Sequence, residues 1–289
     1  MKSRGDGSRG TLGTNSRHLI AMGRTRFRIE RSPRPSLRWA LELLWSLALH
    51  RVSVRYKETL FGFGWIFLQP VALTVIFSYI FHRFAKIPSG EIPYALFAAT
   101  GLVAWSLTAL VISQSSSSVT NHNVLLKRVA LPRILLPLSA VIATLADLCV
   151  MILLLIGLFA YYQVSLSLTA IWILFVFVVH LALLIGLSCL VSLANVFLRD
   201  VGQAVPFLLQ LWFFVSPVFY PASMVPTEFR ELAKWNPMTG IIEGYRAVLL
   251  LGQPPSWDFM APAVLTTLCA LVGGVVSFSR LEGILADIL

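Results

Sequence analysis

Six apolar stretches, each near the length needed to cross a bilayer, constrain this chain more than any other feature. A membrane-spanning helix needs about 20 mostly apolar residues. The candidates are 60–81, 92–112, 134–161, 168–197, 205–220 (the shortest) and 259–278. Charged residues are 12% of the 289, about half the share of a soluble domain, so the apolar surplus has to face lipid. The sequence predicts an all-α integral membrane protein with six transmembrane helices and no soluble domain between them.

Three regions follow. Residues 1–36 form a basic arm, expected to be disordered. Residues 37–58 form an amphipathic helix lying on the membrane interface. Residues 59–289 form the six-helix membrane domain. In the interface helix, Leu37, Leu41, Leu44, Trp45, Ala48, Val52 and Tyr56 recur at helical spacing, opposite Arg38, Glu42, Ser46, His50, Ser53 and Lys57. Gly62 and Gly64 sit where that helix turns into the first span, a place where a chain bends readily.

The net charge of +10 does not call for nucleic acid. Residues 1–38 hold ten Lys or Arg against Asp6 and Glu30, which suits an anionic membrane surface. No secretory signal is expected, because the first weakly apolar stretch carries Arg38 and Glu42 and lacks a small-residue cleavage site. With six crossings, Arg83, Lys86, Arg230, Lys234 and Arg246 fall on one side and the other eighteen Lys and Arg on the opposite side. Leaving out the arm, the ratio is eight to five. By the positive-inside rule both termini are cytoplasmic.

Between the fifth and sixth stretches, 221–252 is too apolar for a plain loop. It reads as two short helices, with Pro226 in the first turn of one and Asn236 capping the next ahead of Pro237. Segments of this length are re-entrant or interfacial. This places Glu228, Trp235, Glu243 and Arg246 at the outer mouth of any pathway.

No G-x-x-x-x-G-K-[ST] phosphate cradle occurs, nor H-E-x-x-H, nor G-x-S-x-G. Cys149, Cys189 and Cys269 all lie in apolar runs, as packing residues do. The chain is expected to be no enzyme and to hold no cofactor or metal. His180 and Asp147 are the two titratable residues deep in spans. His180 suits a hydrogen-bonded core role better than proton carriage. Asp147 has no cation inside a span to pair with, which argues against a proton-coupled pump. Ser115–Ser118 allows helices to approach closely or lines water. Trp212, Phe213, Phe214, Phe219 and Tyr220 are denser than an interfacial belt requires; their faces can stack on sugar rings or on other apolar surfaces. In the loop after the second span, Asn121 or Asn123 can cap a short helix carrying Leu125, Leu126, Lys127 and Arg128, stopped by Pro132. That segment either transmits force from a partner or serves as a basic turn that fixes topology.

Four stretches together resemble the membrane permeases of ABC exporters for bacterial cell-surface polysaccharides (O-antigen, capsule and teichoic acid). They are RVSVRYKETLFGFGWIFLQP (51–70), NHNVLLKRVALPRILLPLS (121–139), LANVFLRDVGQAVPFLLQLWFFVSPVFYP (193–221) and WNPMTGIIEGYRAVLLLG (235–252). They stand in the family's order, at fitting distances. The resemblance implies a homodimer in the bacterial inner membrane, bound to two copies of a separate ATPase subunit that holds ATP and Mg. The substrate would be a polysaccharide on a polyprenyl-pyrophosphate lipid. It implies a lateral gate at Arg51, Arg55, Tyr56, Lys57, Gly62 and Gly64, with the basic groups meeting the pyrophosphate. It also implies a coupling helix at Asn121, Asn123, Leu125, Lys127 and Arg128, and exit helices at 226–235 and 238–251; the dense aromatic cluster supplies Trp212, Phe213, Phe214 and Tyr220 as candidate channel aromatics. The alternatives are an ABC permease for drugs or other lipids, and, further off, a membrane-bound acyltransferase using His180 or Asp147.

Overall fold

The computed structural model describes residues 37–57, 64–80, 92–122, 131–165 and 167–288. The chain divides into two units, 1–39 and 40–289; of the first, only the opening turn of a helix is described. Among the described residues the α-helices are α1 (Leu37–Lys57), α2 (Gly64–Ile80), α3 (Tyr94–Ser116), α4 (Leu135–Tyr162), α5 (Trp172–Phe197), α6 (Asp200–Val215), α7 (Arg230–Trp235), α8 (Pro237–Leu249) and α9 (Trp257–Ile288). No strand occurs among these residues.

Among the described residues four helices are long and apolar enough to cross a membrane: α3, α4, α9 and α5 with its opening 3₁₀ turn. Two shorter apolar helices lie at Leu68–Ile80 and Asp200–Val215. They coincide with the first and fifth stretches read from the sequence, at less than full spanning length. The last helix runs ten residues past the predicted end and carries Arg280 and Glu282. Glu282 explains the extension. Its carboxylate accepts the backbone N–H of Arg133 at 2.7 Å, and its carbonyl accepts Arg133 Nη1 at 2.5 Å. The end of α9 is thereby tied to the approach to α4.

Helix α3 is the hub. Seventeen of its 23 residues are buried, and a helix buried all round belongs at the centre of a bundle. Peripheral helices keep an apolar stripe outward instead. On α9, Leu265, Leu268, Val272 and Val276 are exposed at helical spacing, a surface suited to hydrocarbon. Helices α5 and α9 approach most closely where Gly186 faces Gly274. A Cβ on Gly274 would lie 2.3 Å from the Gly186 carbonyl oxygen. Small residues at such a crossing let backbones meet and gain dispersion contacts. Two of the serines join helices rather than line water: Ser115 donates to Ser188 Oγ at 2.9 Å, and the Ser116 carbonyl accepts Asn195 Nδ2 at 2.9 Å.

The same asparagine fixes the turn into α6. Asn195 Oδ1 accepts the Gly202 N–H at 2.8 Å, so α6 begins at Asp200, five residues before the predicted apolar run. It ends at Val215, where Ser216 and Pro217 break it. The first exit helix is shorter than read, a 3₁₀ turn (Thr227–Phe229) followed by the six residues of α7. The second starts as predicted, with Asn236 Oδ1 accepting the Met238 N–H at 3.1 Å and Pro237 at the first helical position.

On α1, Leu41, Trp45 and Leu49 are exposed, while Ala48 is buried and Leu43 and Leu47 pack on a cluster containing Leu136, Cys189 and Phe278. The inward ridge continues through Arg51 and Arg55.

Replacing Gly274 by Leu should destabilise the α5–α9 crossing by about 1–3 kcal/mol, as overpacking does. Thermal unfolding of the detergent-solubilised protein measures this, with Gly273→Leu, which has open space around its Cβ, as the near-neutral control.

Candidate functional site: an amphipathic cavity between an ion pair and an aromatic wall

A cavity of about 770 Å³ lies among α1, α2, α3, α4 and α6. Arg55 marks its charged end, Trp105, Phe213 and Phe214 form its aromatic wall, and Gln69, Ser113 and Gln210 add polar lining. The two ends arise from different structural devices.

At the polar end, Arg55 pairs through Nη1 with Asp147 of α4 and donates through Nη2 to Gln114 of α3. The Asp147 side chain has no exposed surface. The expectation that this acid lacks a cation is therefore corrected. Its partner comes from α1, 92 residues away, which a search within spans does not reach. One turn earlier, Arg51 Nε donates to Ser139 Oγ at 3.0 Å. Burial, and the like charge of Arg55 next to it, lower the Arg51 pKa to about 10, which leaves it charged at neutral pH.

At the aromatic end, Trp105 stands edge-on to Trp212 at 5.5 Å and tilted to Phe213 at 5.5 Å. Phe213 meets Phe219 edge-on at 5.2 Å. These are favourable quadrupole arrangements for aromatic pairs. Trp212 is anchored by donating Nε1–H to Asn236 Oδ1 at 2.9 Å, while Asn236 Nδ2 donates to Ser216 Oγ at 3.0 Å. Asn236 thus caps α8 and ties it to the end of α6. Tyr220 donates to the Phe214 carbonyl at 3.2 Å, finishing the last turn of α6.

The turn after α6 is held from behind by Arg246. Its Nη1 donates to Pro217 O at 2.7 Å and its Nη2 to Val218 O at 2.5 Å. Glu243 accepts at 3.0 Å, and the guanidinium carbon lies 3.6 Å from the Phe97 ring centre. Tyr94 donates to Phe219 O at 2.7 Å. Gly101 is required beneath this turn, since a Cβ there would sit 2.5 Å from Val218 O and 2.8 Å from Arg246 Nη2. Glu243 and Arg246, expected at the exit, together bind the turn that follows α6. Glu228 is exposed in the 3₁₀ turn, and Trp235 closes α7, half exposed.

The predicted gate residues divide. Arg51 and Arg55 converge on α4, and Gly64 opens α2. The side chains of Tyr56 and Lys57, and Gly62 altogether, lie outside the described residues. Asn121 is exposed in a 3₁₀ turn, Thr120–His122; Asn123, Leu125, Lys127 and Arg128 lie outside the described residues. His180 is hydrogen-bonded, as expected: Nε2 lies 2.8 Å from Thr108 Oγ1 and Nδ1 lies 3.4 Å from Tyr245 Oη. Gln114, Ser139, Asn195 and Gly101 were not singled out by the sequence. Ser139 and Asn195 stood in quoted motifs, Ser139 as the last residue of its stretch and Asn195 two residues before the end of α5.

Set against known proteins, this arrangement has a family. The profile of the ABC-2 type transporter matches residues 42–250. The chain belongs to that family. This ABC-2 permease domain is 27% identical over 257 residues to the O-antigen export system permease protein RfbA of Klebsiella pneumoniae, covering 88% of this chain and 97% of the relative. It is 26% identical over 243 residues to the RfbA permease of Myxococcus xanthus, covering 83% and 93%. It is 25% identical over 259 residues to the polysialic acid transport protein KpsM of Escherichia coli, covering 84% and 95%. Membership with several apolar helices makes the chain a multi-pass membrane protein.

Asn236→Ala removes a cap and two further side-chain bonds at the aromatic end. We expect a loss of stability of about 1–2 kcal/mol for the cap alone, measured by thermal unfolding. A shift in indole emission should accompany it as Trp212 loses its partner.

Proposed function

We propose that this chain is the channel-forming permease of an ABC exporter for a polyprenyl-pyrophosphate-linked polysaccharide. ATP hydrolysis on a separate subunit moves the polymer outward. The carrying observation is the cavity. It joins a guanidinium end suited to a phosphoryl headgroup to a wall of indole and phenyl faces suited to sugar rings. Relatives named for O-antigen export and polysialic acid transport support the same substrate class.

In this reading α1 lies on the cytoplasmic face, with Leu41, Trp45 and Leu49 in the lipid interface, and both termini are cytoplasmic. Helices α2 and α6 complete six crossings. Two copies of the chain face each other, because α6 leaves Phe207, Leu211 and Phe214 exposed beside the cavity and a second copy would close that side. Two ATPase subunits bind beneath, with the loop around 121–128 as their contact, where Lys127 and Arg128 transmit the stroke. Lys57 and Tyr56 extend the gate, and Gly62 and Gly64 allow its bend. The acyltransferase alternative finds its two candidate residues already engaged, His180 with Thr108 and Asp147 with Arg55.

Deleting the gene should trap lipid-linked polymer inside the cell and strip it from the surface. Complementation with Arg55→Gln should lower surface polymer about tenfold or more at equal protein level. Arg55→Lys, which keeps the charge but loses the planar fork, should restore part of it. Normal surface polymer in the deletion strain contradicts the assignment.

A further inference from the structure

Beside the ion pair at the polar end, one donor of Arg51 lacks an acceptor among the described residues. Helix α1 turns Arg51 and Arg55 toward α4 from positions one turn apart, and like charges so placed repel. Helix α4 answers with one hydroxyl, Ser139, and one carboxylate, Asp147. Arg51 Nη2 is buried and has no hydrogen-bond partner among the described residues. Leaving a buried donor unpaired is costly, so the site as folded favours a further anion. Arg55 remains 22% exposed, whereas Asp147 is fully enclosed, and it is Arg55 that lines the cavity. An anion arriving through the cavity therefore meets Arg55 before it meets Asp147.

We propose that Asp147 is the resident counter-ion of an anion site formed by Arg51 and Arg55, displaced when a phosphoryl or pyrophosphoryl group reaches Arg55. The inference rests on the anionic-headgroup reading above. Phosphoryl oxygens match the planar guanidinium fork as well as a carboxylate does, and a pyrophosphoryl group can also supply the acceptor that Arg51 lacks. Gln114, on the other nitrogen of Arg55, holds the plane of the fork during the exchange. Stripping a buried carboxylate of its cation is unfavourable. Occupancy therefore carries an opposing force, and Asp147 retakes Arg55 as the headgroup leaves. Asp147 is a positioning residue that keeps binding weak and release fast.

The test uses the full-length permease in lipid nanodiscs, with two probes: inorganic pyrophosphate, and nanodiscs doped with a polyprenyl pyrophosphate. Asp147→Asn removes the competitor and should raise affinity for pyrophosphate about tenfold or more. Arg51→Gln should lower it, and Arg55→Gln added to Asp147→Asn should abolish the gain. A headgroup site responds to both probes and a free-phosphate site to the inorganic one alone; the inference holds for either source.

A second measurement needs no variant. In the wild-type protein, adding pyrophosphate should increase modification of Asp147 by a hydrophobic carbodiimide, read by mass spectrometry, because the carboxylate has lost its guanidinium partner. Pyrophosphate binding that depends on Arg51 and Arg55, with unchanged affinity in Asp147→Asn or unchanged labelling of Asp147, overturns the counter-ion role and leaves the headgroup reading standing. If neither probe binds any variant, both are overturned.

Discussion

A carboxylate enclosed in an apolar bundle has to find a cation, and here the cation comes from outside the bundle. Arg55 reaches from α1 to Asp147 on α4 and to Gln114 on α3. Breaking such a pair from one side leaves a buried charge, at a cost of about 3–5 kcal/mol. That penalty, more than the hydrophobic contacts of Leu43 and Leu47, sets where α1 can sit. It also sets the polar end of the cavity, because Arg55 lines it only while α1 lies there.

The aromatic end depends on a second polar device of the opposite design. Arg246 is spent entirely within the fold, gathering the carbonyls of Pro217 and Val218 over Gly101. Asn236 adds a cap, an indole bond and a link to Ser216 in one side chain. Together they hold Trp212 and Phe219 behind the wall of Trp105, Phe213 and Phe214.

The spans were legible because lipid imposes one crude demand, a run of apolar residues, and α3, α4 and α5 follow it within a few positions. The ends were less legible because polar side chains set them. Asn195 starts α6 at Asp200, ahead of the apolar run, and Glu282 holds α9 beyond it. The inward ridge of α1 was not legible where Arg51 and Arg55 form it, because arginine scores as polar, although its stem packs like an apolar side chain while its head finds a buried partner. Arg55 and Asp147 were each singled out, one in a motif and one as a buried acid. Periodicity relates residues a turn or two apart, so it gave no sign that these two meet. The short-range signals fared better, and Asn236 before Pro237 predicted its helix start directly.

The central claim is that Arg55 and Asp147 act as one unit joining α1 to the bundle. A double-mutant cycle on the purified protein, with Arg55→Gln, Asp147→Asn and the pair of substitutions followed by thermal unfolding, measures it most directly. A shared buried pair predicts that each single change is strongly destabilising and that the double change costs less than their sum by about 1–3 kcal/mol. Strictly additive losses would mean that the two side chains do not depend on each other, and would contradict the account.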